Sequence, residues 1–341
     1  MDELIEAIVN RGDDPSIREI IQRLKEAGAD VNAPDPSGRT PAHWAAHKGR
    51  AEALAALGDA GAQLSAADRR GWTPAHLAAH AGHANSIAAL HAAGANLNAA
   101  DRDGLTPAHF AAGEDRVGAI PALGVAGAQL SAADRDGDTP AHLAASRGYA
   151  RVIATLHAGG AKLNAINRDG FTPAHLAAHE NRAGVIAALH AAGADLNAAK
   201  NGLNREGWTP AHMAAQGGHA GALSALHEAG ANLDEAGGSR NETPADRATF
   251  NGHHDVAQTL IFYREGALMG KAHHALIEST DQAHNNLAVD LRCPVLLEPY
   301  TTRGETRPVK LPDGVDGLPP TWRLSTAMRE RSLPCVRQLR I

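Results

Sequence analysis

The stretch Thr73-Pro-Ala-His-Leu-Ala-Ala79 opens with a four-residue motif that recurs along the chain. Copies of Thr-Pro-Ala-His begin at Thr40, Thr73, Thr106, Thr139, Thr172 and Thr209, and a variant, Thr-Pro-Ala-Asp, begins at Thr243. Successive copies start 33, 33, 33, 33, 37 and 34 residues apart. A fixed period of this size indicates stacked, similar units of secondary structure.

The motif predicts the beginning of a short helix. Thr73 can cap a helix, and Pro74 suits the first helical position because its missing N–H is not needed there. His76 falls at the third helical position, from which a polar side chain can reach back to the cap, as in a capping box. The helix is expected to end near Gly82.

The rest of each interval predicts a second helix and an extended turn. Ile87 and Leu90 have apolar helical spacing, and Gly94 is a helix-stopping glycine. Residues 97–104 then lead out to the next cap. One unit alone cannot bury its apolar side, so the units must stack.

These features together resemble the ankyrin repeat over residues 1–264. The resemblance implies an all-α solenoid of paired antiparallel helices with protruding turns. It also implies a protein–protein interaction scaffold that binds a protein partner through its concave face and turns.

The repeat boundaries follow from the motif. We expect an amino-terminal cap at 1–37, repeats over 38–240 and a carboxy-terminal cap at 241–264. A helical and polar linker at 265–289 and a Pro- and Arg-rich segment at 290–341 complete the chain, with the latter of uncertain fold.

Two places interrupt the regular pattern. In the repeat 104–136, Asp115-Arg116 replaces the Gly82-His83 pair of the preceding unit, and Pro121 falls where the second helix should be. Because proline is unfavourable inside a helix, we expect a shortened or displaced second helix and the weakest joint of the stack. A four-residue extension near Lys200 lengthens one turn.

Composition narrows the function classes. The chain has 341 residues, of which 43% are hydrophobic but only 3% aromatic, so the core must consist of small aliphatic residues. The net charge of −6 gives no broad basic surface for nucleic acid. The sequence has no signal-peptide pattern and no membrane-spanning run, and its two cysteines make no disulfide framework. These features predict a cytoplasmic protein, although they leave secretion as an effector open.

The residues just before each motif threonine form a candidate binding strip. It consists of large apolar residues beside arginines: Trp72, Leu105, Phe171 and Trp208, with Arg69, Arg102, Arg135, Arg168 and Arg205. Apolar and arginine anchors in one strip favour partner binding, with the apolar groups standing beside water. The alternative is that each side chain only covers the turn of its neighbour.

The histidines do not predict a metal site, and nothing predicts catalysis. His43 and His47, like two similar pairs, have the i, i+4 spacing of zinc ligands, but no third ligand accompanies them. We therefore expect no metal and no cofactor. No nucleophile–base arrangement or phosphate-binding loop occurs, so we expect no catalytic residue in the repeats.

The carboxy-terminal segment supplies an alternative function. Its motifs Cys293-Pro-Val295, Pro308-Val309 and Pro334-Cys335 resemble landmarks of the U-box, a zinc-free relative of the RING fold. The resemblance implies an E3 ubiquitin-ligase adaptor, with the repeats selecting a substrate and residues 290–341 recruiting a ubiquitin-conjugating enzyme. This would be the only enzymatic activity. The competing interpretation is a Pro-rich, partly disordered tail or docking extension.

Overall fold

The computed structural model describes residues 2–11, 14, 16–200 and 207–266. This part of the chain is built from paired short helices without named strands. The helices are α1 (Asp2–Arg11), α2 (Ile17–Glu26), α3 (Pro41–His47), α4 (Ala51–Asp59), α5 (Pro74–Ala81), α6 (Ala84–Ala92), α7 (Pro107–Gly113), α8 (Ala119–Val125), α9 (Pro140–Arg147), α10 (Ala150–Ala158), α11 (Pro173–His179), α12 (Ala183–Ala191), α13 (Pro210–Gly217), α14 (Ala220–Glu228), α15 (Pro244–Phe250) and α16 (254–266).

The helices form two layers that advance one unit at a time. Each odd-numbered helix packs on the next odd-numbered helix, and each even-numbered helix packs on the next even-numbered one. Contacts therefore connect neighbouring units along the chain, as in a solenoid. The predicted all-α stack of helix pairs is confirmed.

Alanine and leucine fill the interior between the layers. Ala45 and Ala46 of α3 are fully buried, as are their counterparts in α5, α7, α9, α11 and α13. The second helices from α4 to α14 each contribute one fully buried leucine at an equivalent position: Leu57, Leu90, Leu123, Leu156, Leu189 and Leu226. Alanine lets the short helices approach closely, which explains how the core forms with so few aromatic residues.

The motif histidines connect successive units. Nδ1 of His76 accepts a hydrogen bond from the backbone N–H of Thr73 at 3.0 Å, so the predicted backward reach to the cap is confirmed. Nε2 lies 2.9 Å from the carbonyl oxygen of Leu105 in the next unit and must donate its proton there. The six motif histidines repeat this arrangement.

The seventh motif, in the last unit that the structure describes, differs from the other six. Asp246 replaces histidine, and its carboxylate accepts hydrogen bonds from the backbone N–H and the hydroxyl of Thr243. These hydrogen bonds hold the pKa of Asp246 below its ordinary value. The aspartate thus keeps the capping function and lacks the second nitrogen that would reach another unit.

Two further sets of hydrogen bonds connect successive units. An Asn or Ser oxygen at the base of each turn accepts a backbone N–H from the next unit at 2.7–2.9 Å, as Asn32 does from Gln63 and Ser65 from Asn96. At the start of several second helices, a His or Arg side chain donates to a carbonyl of the preceding unit, as Arg116 does to His80.

Five protruding turns, which begin at Asp35, Asp68, Asp101, Asp134 and Asn167, share one internal structure. In the turn Asp101–Leu105, Oδ1 of Asp101 accepts the backbone N–H groups of Asp103 and Leu105, both at 2.9 Å. Gly104 has a φ of +88°, and a Cβ there would lie 2.8 Å from the backbone nitrogen of Arg135. Only glycine permits this close stacking of successive turns.

The expected irregularity around Pro121 is confirmed. The helix α8 spans 7 residues, whereas its neighbours α6 and α10 span 9. It begins at Ala119, so Pro121 falls in the first turn, where no backbone N–H is needed. Asp115 adopts a left-handed φ of +54°, where the neighbouring units have glycine.

Candidate functional site

The side chains before three of the motif threonines, Arg39, Trp72 and Asp138, contact the first residue of the following turn. Nε of Arg39 lies 3.3 Å from Oδ2 of Asp68, and Nε1 of Trp72 donates to Oδ2 of Asp101 at 3.2 Å. Nδ2 of Asn167 likewise donates to Asp138 at 2.8 Å. These contacts give the residue before the motif threonine a structural role. Such a role agrees with the alternative that the side chain only covers the turn of its neighbour.

A groove nevertheless opens beside two of the predicted residues. The Trp72 groove, as we call it, has a volume of about 510 Å³ and lies between the turns 68–72 and 101–105 and the first helices α5, α7 and α9. Trp72 and Leu105 are half-buried there. The structure therefore brings together the predicted residues Trp72, Leu105, Arg69 and Arg102 around one depression.

Phe110 forms the floor of this groove and did not figure among the predicted site residues. Its ring meets that of Trp72 edge to face, with centroids 4.9 Å apart and an interplanar angle of 83°. It follows the motif histidine directly, where other units have Leu77 or Leu143. Among the equivalent positions, which are mostly aliphatic, only Trp44 is also aromatic. The aromatic residue at position 110 was therefore the feature of the sequence that could have indicated the site.

Arginines surround the apolar floor. The guanidinium of Arg70 lies 5.3 Å from the centre of the Trp72 ring, within the range of a cation–π contact. Arg69 and Arg102 are exposed at the turn tips, and Arg147 closes the far side. The groove thus combines an apolar floor with a cationic rim.

Trp208 does not belong to an exposed strip. Only 5% of its surface is accessible, so the prediction that it stands beside water is wrong. Its ring stacks on His212 with centroids 5.8 Å apart, and the guanidinium of Arg247 covers it at 4.8 Å. The last unit supplies this arginine where earlier units have an apolar side chain, which explains the burial.

Phe171 is half-buried in a different environment. Nζ of Lys200 lies 4.1 Å from the centre of its ring, and Lys200 itself is 7% exposed. Lys200 also closes the lengthened turn, because its backbone N–H donates to the carbonyl of Trp208 at 2.6 Å. Phe171 is therefore covered by a cation.

The remaining predicted residues fall into two groups. Arg135 and Arg168 are exposed, and their backbone N–H groups donate to the preceding turns at Asp103 and Asp136. Arg205 lies outside the described residues, as does the segment 290–341 with its U-box resemblance. Their roles stay predictions from the sequence.

The motif histidines have no nitrogen available for a metal. Both ring nitrogens of each one are engaged, and burial is the main cause that lowers the pKa of His43, His76, His109, His142 and His212. Burial also lowers the pKa of His175, to about 4. Within residues 2–11, 14, 16–200 and 207–266, no group of three potential ligands clusters. No helix of this part of the chain is long and apolar enough to cross a membrane.

Comparison with known proteins agrees with this architecture. A family model described as ankyrin repeats (3 copies) matches residues 4–101, 60–129, 109–200 and 197–270. Among solved structures, the ankyrin repeat domain of Bcl-3, described as a unique member of the IkappaB protein family, matches with a TM-score of 0.54 and 25% sequence identity. The match covers 62% of this chain and 92% of that chain. The comparison with curated proteins found no match.

The family model covers well over half of the sequence, and its residues coincide with the stacked helix pairs and their protruding turns. The chain therefore belongs to the ankyrin-repeat family.

Proposed function

We propose that this protein is a binding scaffold that holds a protein partner in the Trp72 groove. The observation that carries the proposal is the joining of Trp72, Leu105 and Phe110 into one apolar floor beside arginines. Tryptophan and arginine dominate binding hot spots, and such residues contribute most when water is excluded around them. Ankyrin repeats also generally mediate protein–protein interactions.

The shape of the groove favours a protein segment over a small metabolite. Its volume would suit a small molecule. However, it lies open between turns of successive units and has guanidinium groups at its rim. A loop or an extended segment can lie along stacked turns, whereas a metabolite would leave most of its surface in water.

The test replaces two groove residues by side chains that the local structure can accommodate. The double variant Leu105→Asn and Phe110→Leu replaces one apolar side chain of the floor by a polar one and removes the Phe110 ring. The asparagine introduced by Leu105→Asn can donate to Asp134 of the following turn, as Trp72 does to Asp101, and leucine follows the motif histidine in other units. The fold should therefore persist, as checked by circular dichroism.

Affinity capture followed by quantitative mass spectrometry then compares this variant with the wild type. The control is Arg151→Asp, an exposed change on α10 away from the groove. We expect at least one partner to fall about tenfold with the groove variant and to be retained by the control. Equal recovery of every partner by all three proteins would exclude the groove as the binding surface.

The adaptor function remains a second candidate because of the order of the U-box landmarks after Leu291. An in-vitro ubiquitination assay compares the full-length protein with a chain that ends at Val289. The adaptor hypothesis predicts conjugation that needs the last residues. Equal background with both chains, across a broad panel of conjugating enzymes, would remove it.

A further inference from the structure

We infer that the partner segment held in the Trp72 groove is acidic and carries one apolar side chain. This inference rests on the proposed function and specifies the chemistry of its partner. The apolar side chain would lie on Leu105 and Phe110, and the carboxylates of the segment would contact Arg69, Arg70 and Arg102.

Several polar groups that line the groove already have partners within the protein. Oδ1 of Asp101 accepts two backbone N–H groups of its own turn, and Oδ2 accepts Nε1 of Trp72. Glu114 forms an ion pair with Arg147 at 3.1 Å, and Arg147 also donates to the carbonyl of Gly113. Glu114 and Arg147 compensate each other in charge, whereas Asp101 keeps its negative charge but has both oxygens occupied by N–H donors.

The uncompensated charge at the groove is positive. In the part of the chain that the structure describes, Arg69, Arg70 and Arg102 form no ion pair. Of the carboxylates that line the groove, Asp103 alone is neither hydrogen-bonded through its side chain nor paired there. Three guanidinium groups without an ion pair therefore stand against two carboxylates, Asp103 and the hydrogen-bonded Asp101, and this balance favours an anionic partner.

The turn at Trp72 also differs from its neighbours in the sign of its charge. Arg70 occupies the third position of the turn, where the neighbouring turns have Ser37, Asp103, Asp136 and Asp169. The side chain of Arg70 is held over the Trp72 ring, so a bound carboxylate would meet an ordered guanidinium. The reversed charge therefore coincides with the apolar floor, and the two features point to one ligand.

The experiment selects short random peptides displayed on phage against the full-length protein. Enriched peptides are synthesised and titrated against the wild type, Arg70→Asp, Leu105→Asn and the control Arg151→Asp. Aspartate at position 70 matches Asp103 of the next turn, so the variant should fold. We expect acidic peptides with a single apolar residue, whose affinity falls about tenfold in either groove variant and falls further with salt. Exchanging their Glu for Lys should restore binding to Arg70→Asp.

The other outcomes separate the inference from the proposed function. Enriched neutral or basic peptides that still need Leu105 would overturn the acidic partner and keep the groove as a binding site. Peptides that bind all four proteins equally would overturn the inference and count against the groove as well. If nothing is enriched, the inference is overturned, and the capture experiment alone decides the proposed function.

Discussion

The motif histidine performs two tasks that need a neutral ring. Nδ1 must accept from the threonine N–H of its own unit, so it carries no proton, and Nε2 must donate to the next unit. A protonated ring would have a hydrogen on both nitrogens and would lose the first contact. Burial supports the neutral form because it penalises the charge.

We therefore predict that mild acid destabilises the stack. The folded-state pKa of the motif histidines lies below the unfolded value of about 6.5, so the unfolded chain binds more protons in this range. The stabilisation is full above pH 6.5 and is lost as the pH falls towards the folded pKa, which is about 4 for His175. Each such histidine can contribute up to about 1.4 kcal/mol per pH unit. Urea unfolding between pH 7.5 and pH 5 measures the slope.

The variant His175→Gln provides the control for this prediction. Glutamine keeps an acceptor for the threonine N–H but does not titrate, so the slope should decrease while stability at neutral pH also falls. Carboxylates with a lowered pKa, such as Asp246, change their protonation at lower pH and do not contribute to the slope between pH 7.5 and pH 5. A free energy of unfolding that stays constant from pH 7.5 to pH 5 would contradict the prediction.

At the scale of elements, the helix α8 shows how the chain accommodates a proline, Pro121, in a second helix. The helix starts two residues late and thereby places Pro121 in its first turn. The turn before it contains Asp115 in the left-handed region, where Gly82 and Gly148 stand in the adjacent units. This unit departs from the repeat pattern in both features.

We predict that Asp115→Gly stabilises the protein. The left-handed conformation disfavours residues with a Cβ, and Asp115 is exposed, so the substitution removes strain without loss of packing. The gain should be about 1 kcal/mol. Chemical denaturation of both proteins measures it, and a lower midpoint for the glycine variant would refute the strain argument.

Much of this organisation was predictable because it is periodic. The threonine cap, the proline at its first position and the delayed α8 each follow from local chemistry at a known place in the unit. The groove was only partly predictable, since Trp72 and Phe110 come from different units and meet only after stacking. The burial of Trp208 depends on Arg247 of the next unit, a contact that no local pattern encodes.

At the scale of the whole molecule, stability arises from contacts between neighbouring units. Such a stack behaves as a row of units, each held by its own stability and by its interfaces. The helix α8 is shorter than its neighbours and packs less extensively on α10 than the other second helices pack on theirs. The unit 104–136 is therefore the expected place for the row to separate.

We predict that Leu123→Ala divides unfolding into two transitions. Leu123 is fully buried in α8, and its truncation should cost about 2–5 kcal/mol. Tryptophan fluorescence reports each side separately if Trp322 is replaced by Phe throughout. Trp44 and Trp72 then report the amino-terminal side, and Trp208 the carboxy-terminal side.

Paired reporter proteins make this measurement decisive. The first reporter protein carries Trp44→Phe and Trp72→Phe, so that Trp208 is its remaining tryptophan. The second carries Trp208→Phe and keeps Trp44 and Trp72. Urea midpoints should coincide for the two reporters without Leu123→Ala and differ with it. Coincident midpoints in the variant would mean that the stack unfolds as one cooperative body.

The exchange of histidine for aspartate at position 246 bears on how such a protein can change in size. A histidine at position 246 could donate from Nε2 to a carbonyl of an additional repeat. The carboxylate of Asp246 has no proton to donate to that carbonyl. Lengthening the array by duplication would thus require few adjustments beyond this one side chain. Growth could extend the surface available to ligands while every older unit kept its own neighbours.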